Sequence, residues 1–84
     1  MIDVEENDVN QHLSEEGILR QVYEALKVKG YDPICQVVGY IISGDPTYIT
    51  AYQDARIMIT KAEREDLLEE IIENYINEYM KRSR

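Results

Sequence analysis

The chain has 84 residues, a single cysteine and a formal net charge of −8. This length fits one domain, and a lone cysteine cannot form an intrachain disulfide, which suits a reducing cytosol. The acidic balance disfavours nucleic-acid binding, and no apolar stretch reaches the roughly 20 residues that a membrane span needs. We therefore expect a cytoplasmic protein that binds neither nucleic acid nor membrane, and residues 1–9 lack the features of a signal peptide.

The N-terminal segment, residues 1–13, is acidic, polar and aperiodic, so we expect a disordered tail before one helical domain at 14–84. It contains His12, the only histidine, for which we expect no catalytic or ligand role. At the other end, we interpret three cations as complementing a helix C-terminus, and these are Lys81, Arg82 and Arg84.

The first predicted helix begins at Ser14, whose side chain can accept from the first backbone N–H groups. It ends at Gly30, a residue that tolerates the left-handed backbone typical of a helix terminus. Between them, helical spacing predicts one buried apolar stripe formed by Ile18, Leu19, Val22, Ala25 and Leu26.

The second predicted element begins at Asp32-Pro33 and ends at Gly44. Its β-branched residues leave a strand as the alternative, but proline at the first position and a period near 3.6 favour a helix. Gly39 in the middle of a helix lowers helix stability by about 1 kcal/mol relative to alanine. We interpret its presence as a sign that another backbone approaches closely at this position. The predicted buried face, with Cys35 packed beside it, consists of Ile34, Val37, Val38, Ile41 and Ile42.

Asp45-Pro46 repeats the same start signal, which predicts a single helical turn. Thr50 with Gln53, and Thr60 with Glu63, have the spacing of capping boxes. These pairs predict two helices separated by a bend, at 51–59 and 61–82.

The last predicted helix has an apolar face that is wider than one neighbouring helix can cover. A small core and a terminal helix with surplus apolar surface predict a homodimer, with a monomer that folds back as the alternative. The expected fold is an all-α bundle of four to five helices, one of them very short. The candidate dimer or core face consists of Leu68, Ile71, Ile72, Tyr75, Ile76 and Tyr79.

No catalytic motif is present, and one histidine with one cysteine cannot form a zinc site. We expect Cys35 to be buried and unreactive, and we expect no metal or cofactor. The carboxylates of the last helix are interpreted as a solvated face, with an acidic catalytic site as the alternative. Tyrosines with polar tips occur often at recognition surfaces but also close small cores, and packing is the preferred interpretation here. The candidate partner surface consists of Tyr31, Tyr40, Tyr48, Tyr52, Arg56 and Arg64.

Residues 30–50, GYDPICQVVGYIISGDPTYIT, resemble the signature of the IreB family, small regulatory phosphoproteins of Gram-positive bacteria. The similarity continues at Ala55-Arg56, Ile59 and Arg64. The resemblance implies a cytosolic, all-helical homodimer without enzymatic activity. It also implies a role downstream of a membrane Ser/Thr kinase that responds to cell-wall stress, with an effect on tolerance of wall-targeting antibiotics.

The family's phosphoacceptor threonine lies in an N-terminal segment resembling T-M-x-F, and this chain has no threonine before Thr47. No phosphosite is therefore carried over, and Ser14 is better explained as a helix cap. Our leading hypothesis is a binding module whose acidic tail modulates access to a protein partner. Arg56 and Arg64 are candidates for receiving a phosphorylated tail, which would gain about −1.5 to −2 charges. The alternatives are a small acidic-site enzyme and, less favoured without a basic face, a helix-turn-helix transcription regulator.

Overall fold

The computed structural model describes residues 14–80, and every regular element in this range is helical. The four α-helices are α1 (Glu15–Val28), α2 (Pro33–Ser43), α3 (Ala55–Ile59) and α4 (Arg64–Tyr75). Two 3-10 turns, Pro46–Tyr48 and Tyr52–Asp54, lie between α2 and α3, and a π-helical turn, Ile76–Met80, extends α4. The all-α prediction is confirmed, and the strand alternative for α2 is wrong. The predictions for residues 1–13 and 81–84 lie outside the described residues.

The core forms where α1 crosses α3 and α4. Tyr40 of α2 and Ile49 of the loop before α3 complete it. The predicted stripe of α1 is buried apart from Leu19, which packs half-buried at its edge. Burying aliphatic side chains of this size stabilises a fold by about 1.5–3 kcal/mol each. The buried residues are Ile18, Val22, Ala25, Leu26, Tyr40, Ile49, Ala55, Ile59 and Leu67.

Helix α1 begins and ends as its sequence predicts. The Gly17 N–H donates to Ser14 Oγ at 3.2 Å, which satisfies one unpaired donor of the first turn. At the other end Gly30 has a φ of +84°. The N–H groups of Gly30 and Tyr31 donate back to the carbonyls of Lys27 and Leu26, at 3.0 and 2.9 Å. This is a Schellman motif, and it turns the chain sharply toward α2.

Helix α2 also has the predicted ends. Asp32 Oδ1 accepts from the N–H groups of Ile34 and Cys35, at 3.0 and 3.3 Å, and Pro33 occupies the first helical position. Gly44 ends the helix with a φ of +75°. Both signals act within one turn of the chain, which explains why they can be identified from the sequence.

The predicted burial of the α2 face is wrong for its outer half. Ile34 and Ile42 are 74% and 77% exposed, Val38 and Cys35 are exposed, and only Val37 and Ile41 of the predicted face are partly buried. Other described elements cover one side of α2, namely α1, α4 and the Pro46–Tyr48 turn. Helical periodicity identified an apolar stripe, but it carries no information about how much of that stripe the neighbours cover.

The division between α3 and α4 is confirmed, although the predicted capping boxes are wrong. Thr50 Oγ1 accepts from the Tyr52 N–H, and Thr60 Oγ1 donates to the Ile57 carbonyl. Gln53 and Asp54 both have positive φ angles, 52° and 62°, so α3 begins only at Ala55. A local left-handed turn replaces the first predicted helical turn, and α4 begins without a side-chain cap.

Helix α4 buries only Leu67 of its apolar residues. Five of the six candidate face residues are exposed and Ile76 is half-buried, so within residues 14–80 this face is not covered by the chain itself. Residues 14–80 therefore do not show the alternative, a monomer in which the chain folds back over both sides of the last helix. None of the helices within residues 14–80 combines the length and apolar character that crossing a membrane requires.

Candidate interaction surfaces

The signature stretch, residues 30–50, folds back on itself so that the Pro46–Tyr48 turn packs against α2. Gln36 Nε2 donates to the Tyr48 carbonyl at 2.7 Å. The Tyr48 ring lies against Gly39, where an added β-carbon would stand only 2.9 Å from Tyr48 Cζ. Gly39 therefore does accommodate a close approach, but by an aromatic ring rather than by the backbone we predicted.

The connection between α2 and this turn is a dense set of local hydrogen bonds. Ser43 Oγ donates to the Gly39 carbonyl at 2.7 Å and accepts from the Asp45 N–H at 3.0 Å. Asp45 Oδ1 accepts from the Thr47 hydroxyl at 2.7 Å and from the Thr47 N–H at 3.0 Å. These two bonds lower the pKa of the Asp45 carboxyl, and the charge of Arg56 adds a smaller contribution.

Both candidate arginines bind backbone carbonyls of the same region. Arg56 Nε donates to the Ile49 carbonyl at 2.8 Å, and Arg64 Nη1 donates to the Ile41 carbonyl at 2.9 Å. The Arg64 guanidinium also lies over Gly44, where a β-carbon would be 2.9 Å from its Cζ. Each arginine thus joins a later part of the chain to α2 or to the turn after it. This structural role explains their place in the signature without a binding partner.

The four candidate tyrosines do not form one surface. Tyr40 is only 5% exposed and belongs to the core, so its placement in the partner surface was wrong. Tyr31 and Tyr52 are 51% and 36% exposed, and Tyr48 is exposed at the edge of its contact with Gly39. We call Tyr31, Tyr48 and Tyr52 the tyrosine rim. These three side chains remain available for recognition.

Sequence reasoning missed two contacts between lysines and tyrosines, one of them at the rim. Lys29 Nζ lies 5.2 Å from the centre of the Tyr52 ring, and Lys27 Nζ lies 5.4 Å from that of Tyr23. The i, i+4 spacing of Tyr23 and Lys27 could have indicated the first pair, whereas the second joins residues far apart in the sequence. The end of α1 therefore adds positive charge beside the rim.

The acidic residues of α4 form no enclosed site. Glu65, Asp66, Glu69 and Glu73 are exposed at an open surface around Leu68 and Ile72. Within residues 14–80, no three His, Cys, Asp or Glu side chains are placed to hold a metal ion. This arrangement favours the interpretation of a solvated face over that of an acidic catalytic site.

Cys35 is exposed, so the prediction of a buried thiol was wrong. A hydrogen bond with Asp32, and then the charge of that carboxylate, raise the pKa of the Cys35 thiol. A raised pKa reduces the thiolate fraction at neutral pH, and the thiolate is the nucleophilic form. The setting is therefore unlike that of a catalytic cysteine.

Comparison with known proteins identifies the family. The family described as IreB regulatory phosphoprotein matches residues 2–77. The chain belongs to the IreB family. A UPF0297 protein of Acetivibrio thermocellus is 55% identical over 78 residues, which cover 93% of this chain and 83% of that protein. The resemblance seen in residues 30–50 is thus confirmed.

In this IreB-family protein the signature residues act mainly in folding. Gln36, Gly39, Ser43, Asp45 and Arg64 each make a contact that holds α2, the turn or the start of α4 in place. The signature therefore identifies the family through its architecture, and the family's description supports a regulatory role for the chain.

Proposed function

We propose that this IreB-family protein is a cytoplasmic, non-enzymatic regulator that acts as a homodimer and binds a protein partner. It acts downstream of a membrane Ser/Thr kinase that responds to cell-wall stress, and it changes tolerance of wall-targeting antibiotics. The observation that carries the proposal is the match to a family of regulatory phosphoproteins over residues 2–77.

The tyrosine rim is the surface we assign to the partner. Tyrosine provides a large, rigid contact area with one polar tip, and such residues are enriched among those that dominate binding energy. The Tyr48 part of the rim is held by Gln36, which donates to the Tyr48 carbonyl, and by Arg56, which donates to the neighbouring Ile49 carbonyl. A preordered surface loses little conformational entropy on binding, which favours affinity.

Lys29 makes the rim selective for acidic partner segments. Its ammonium group lies over the Tyr52 ring on a chain whose net charge is −8. Most of the protein surface therefore repels an acidic segment, and this region attracts one. Complementary charge of this kind mainly raises the association rate and excludes other partners.

The acidic segment 1–13 has the charge to compete for the same region, and we propose that it modulates access to the rim. Ser14 serves as the N-cap of α1, where its hydroxyl accepts from the Gly17 N–H, and we assign it no phosphorylation. The gating role is tested by comparing the partner affinity of the full chain with that of a Δ1–13 variant. Equal affinities would rule out gating.

The regulatory function is tested by deleting the gene and measuring sensitivity to wall-targeting antibiotics. We expect a several-fold change that the wild-type gene reverses, and that a Tyr31→Ala/Tyr52→Ala double variant does not reverse. Ile57→Ala, which removes an exposed apolar side chain elsewhere, is the matched control and should restore the wild-type response. Unchanged sensitivity in the deletion strain would overturn the proposed function.

A further inference from the structure

The chain belongs to a family of regulatory phosphoproteins, yet its sequence offers few hydroxyl groups that a Ser/Thr kinase could modify. Residues 1–13 contain neither serine nor threonine. Within residues 2–77, the range that matches the family, there are five such residues, and the structure describes all of them. They are Ser14, Ser43, Thr47, Thr50 and Thr60. A Ser/Thr phosphoacceptor in that range is therefore one of these five, and their surroundings differ.

Four of the five hydroxyl groups are engaged with the backbone. Ser43 Oγ and Thr60 Oγ1 each donate to a backbone carbonyl one turn earlier, at 2.7 Å. Ser14 Oγ and Thr50 Oγ1 each accept from a backbone N–H, and Thr50 is also half-buried. The oxygen atoms of these four side chains are therefore turned toward the main chain.

Thr47 differs from the other four in both its contact and its position. Its side chain is exposed, and its hydroxyl donates to a carboxylate, Asp45 Oδ1, at 2.7 Å. It lies in the middle of the Pro46–Tyr48 turn, which two backbone hydrogen bonds close, at 3.2 and 3.0 Å. Opening so short an exposed segment requires far less free energy than opening a core helix. A kinase can therefore reach the Thr47 hydroxyl without unfolding the domain.

Two charged groups are neighbours of this hydroxyl. Asp45 Oδ1 accepts from both the hydroxyl and the N–H of Thr47, and these bonds lower the pKa of the Asp45 carboxyl, so it is ionised at neutral pH. The charge of Arg56 also acts on Asp45, and Arg56 Nε donates to the Ile49 carbonyl, two residues after Thr47, at 2.8 Å. A phosphate on Thr47 would thus have an anion that it repels and a cation that it attracts as neighbours.

We propose that Thr47 is a phosphoacceptor for a Ser/Thr kinase, and that its phosphate displaces the Asp45 carboxylate and binds Arg56. Phosphorylation adds about −1.5 to −2 charges, and the repulsion moves Asp45 away from the Thr47 N–H. Arg56 turns from the Ile49 carbonyl to the phosphate, to which a guanidinium can donate two parallel hydrogen bonds. The turn that contains Tyr48 is thereby loosened, so the modification alters one part of the tyrosine rim.

This assignment rests on the kinase pathway of the proposed function and names the residue on which that pathway acts. The step transfers the γ-phosphoryl group of ATP. The bond between Thr47 Oγ1 and phosphorus forms as the bond from phosphorus to the oxygen that bridges the β and γ positions breaks, and ADP leaves. The hydroxyl proton passes to the catalytic carboxylate of the kinase, and nothing is oxidised or reduced.

The acceptor is tested by expressing the full chain with the catalytic domain of each membrane Ser/Thr kinase encoded in the same genome. Autophosphorylation of each domain shows that it is active, and mass spectrometry locates the phosphate. The tryptic peptide of residues 30–56 contains Ser43, Thr47 and Thr50, so fragment ions must distinguish these positions.

We expect phosphate at Thr47 in the wild type and in the control variant Thr50→Val, and none at that position in Thr47→Val. Thr47→Ser keeps a hydroxyl group at the same place and should be phosphorylated there, which separates loss of the acceptor from a change in the turn. Phosphate only at other residues, or on none with active kinases, would overturn the assignment.

The structural consequence is tested by NMR on the full chain with phosphothreonine introduced at position 47 by an expanded genetic code. We expect the Tyr48 and Ile49 N–H groups to exchange with solvent about tenfold faster than in the unmodified chain, because the turn has lost its cap. The Arg56 Nε–H signal should shift, whereas the N–H of Val22 in the core is the control and should not change. An unshifted Arg56 signal would overturn the role of Arg56, and unchanged exchange rates would overturn the loosening of the turn.

The outcomes separate this assignment from the function on which it rests. If no active kinase modifies Thr47 while deletion of the gene still changes antibiotic sensitivity, the assignment is overturned and the regulatory function stands. If Thr47 is phosphorylated while the deletion strain has unchanged sensitivity, the proposed function is overturned and the phosphoacceptor stands.

Discussion

The ring of Tyr48 lies directly against the backbone of Gly39, and an added β-carbon at Gly39 would meet three atoms of that ring. Gln36, three residues earlier on α2, donates to the carbonyl of the same tyrosine at 2.7 Å. The two contacts hold the Pro46–Tyr48 turn on α2 from the ring side and from the backbone side. These contacts explain in structural terms why the signature contains these residues.

Gly39→Ala should destabilise the protein although alanine favours helices. The gain in helix propensity is about 1 kcal/mol, whereas overpacking against a ring typically costs about 1–3 kcal/mol. We expect a net loss of about 1 kcal/mol in the free energy of unfolding, measured by urea denaturation.

The double variant Gly39→Ala/Tyr48→Ala provides the control for that contact. With the ring removed, alanine at position 39 should be stabilising relative to Tyr48→Ala alone, so the effect of the substitution changes sign. An alanine that destabilises by the same amount in both backgrounds would show that the Tyr48 ring is not the cause.

Arg56→Ala and Arg64→Ala should each lower the free energy of unfolding by about 1 kcal/mol, the usual contribution of one hydrogen bond. The reason is that each guanidinium donates to a carbonyl of a distant segment, at Ile49 and Ile41 respectively. Lys61→Ala is the control, because surface substitutions without such a contact usually stay within about 0.5 kcal/mol. If both arginine variants have the urea midpoint of the wild type, these structural roles are contradicted. The two arginines would then again be candidates for the partner surface.

Asp45 should make the protein more stable at neutral pH than in acid. Hydrogen bonds from Thr47 lower the pKa of Asp45 in the folded state below its ordinary value of 3.8. The ionised carboxylate therefore contributes stability above that value, and this contribution is lost as the pH falls through the lower, folded-state pKa. The difference in melting temperature between the wild type and Asp45→Asn should shrink below pH 3.8. A difference that stays constant from neutral pH into acid would argue against this linkage.

Cys35 should react with a thiol reagent in the folded protein, because its side chain is exposed, but more slowly than an unperturbed cysteine. The cause is the Asp32 carboxylate, which raises the pKa of the thiol through a hydrogen bond and through its charge. Asp32→Asn should accelerate alkylation and move the midpoint of the rate against pH downward, while asparagine still caps α2. An unchanged pH midpoint in that variant would exclude Asp32 as the cause.

Helix termini were predictable because their signals are local. Ser14, Gly30, Asp32 and Gly44 act on backbone groups within one turn, and each is found in the predicted role. The capping box predicted at Thr60 failed because its hydroxyl donates to the Ile57 carbonyl, in the turn before it. Spacing alone does not distinguish between the two directions of that hydrogen bond.

The candidate site was predicted less well, because it depends on contacts between distant parts of the chain. The sequence marked Tyr40 and Tyr48 as equivalent, yet one lies in the core and the other lies against Gly39. It also gave no sign that Lys29 would lie over Tyr52. Side chains of one type acquire different roles only when the helices are placed relative to one another.

By itself, the sequence determined the helical class, the ends of α1 and α2, and the family, because these follow from short-range backbone chemistry and from a distinctive signature. Only the tertiary structure decided which half of the α2 stripe is covered. Ile34 and Val37 are both apolar and belong to the same predicted stripe, but α1 and α4 cover only one side of the helix. Burial depends on which neighbouring elements cover a residue, and only the tertiary structure places those neighbours.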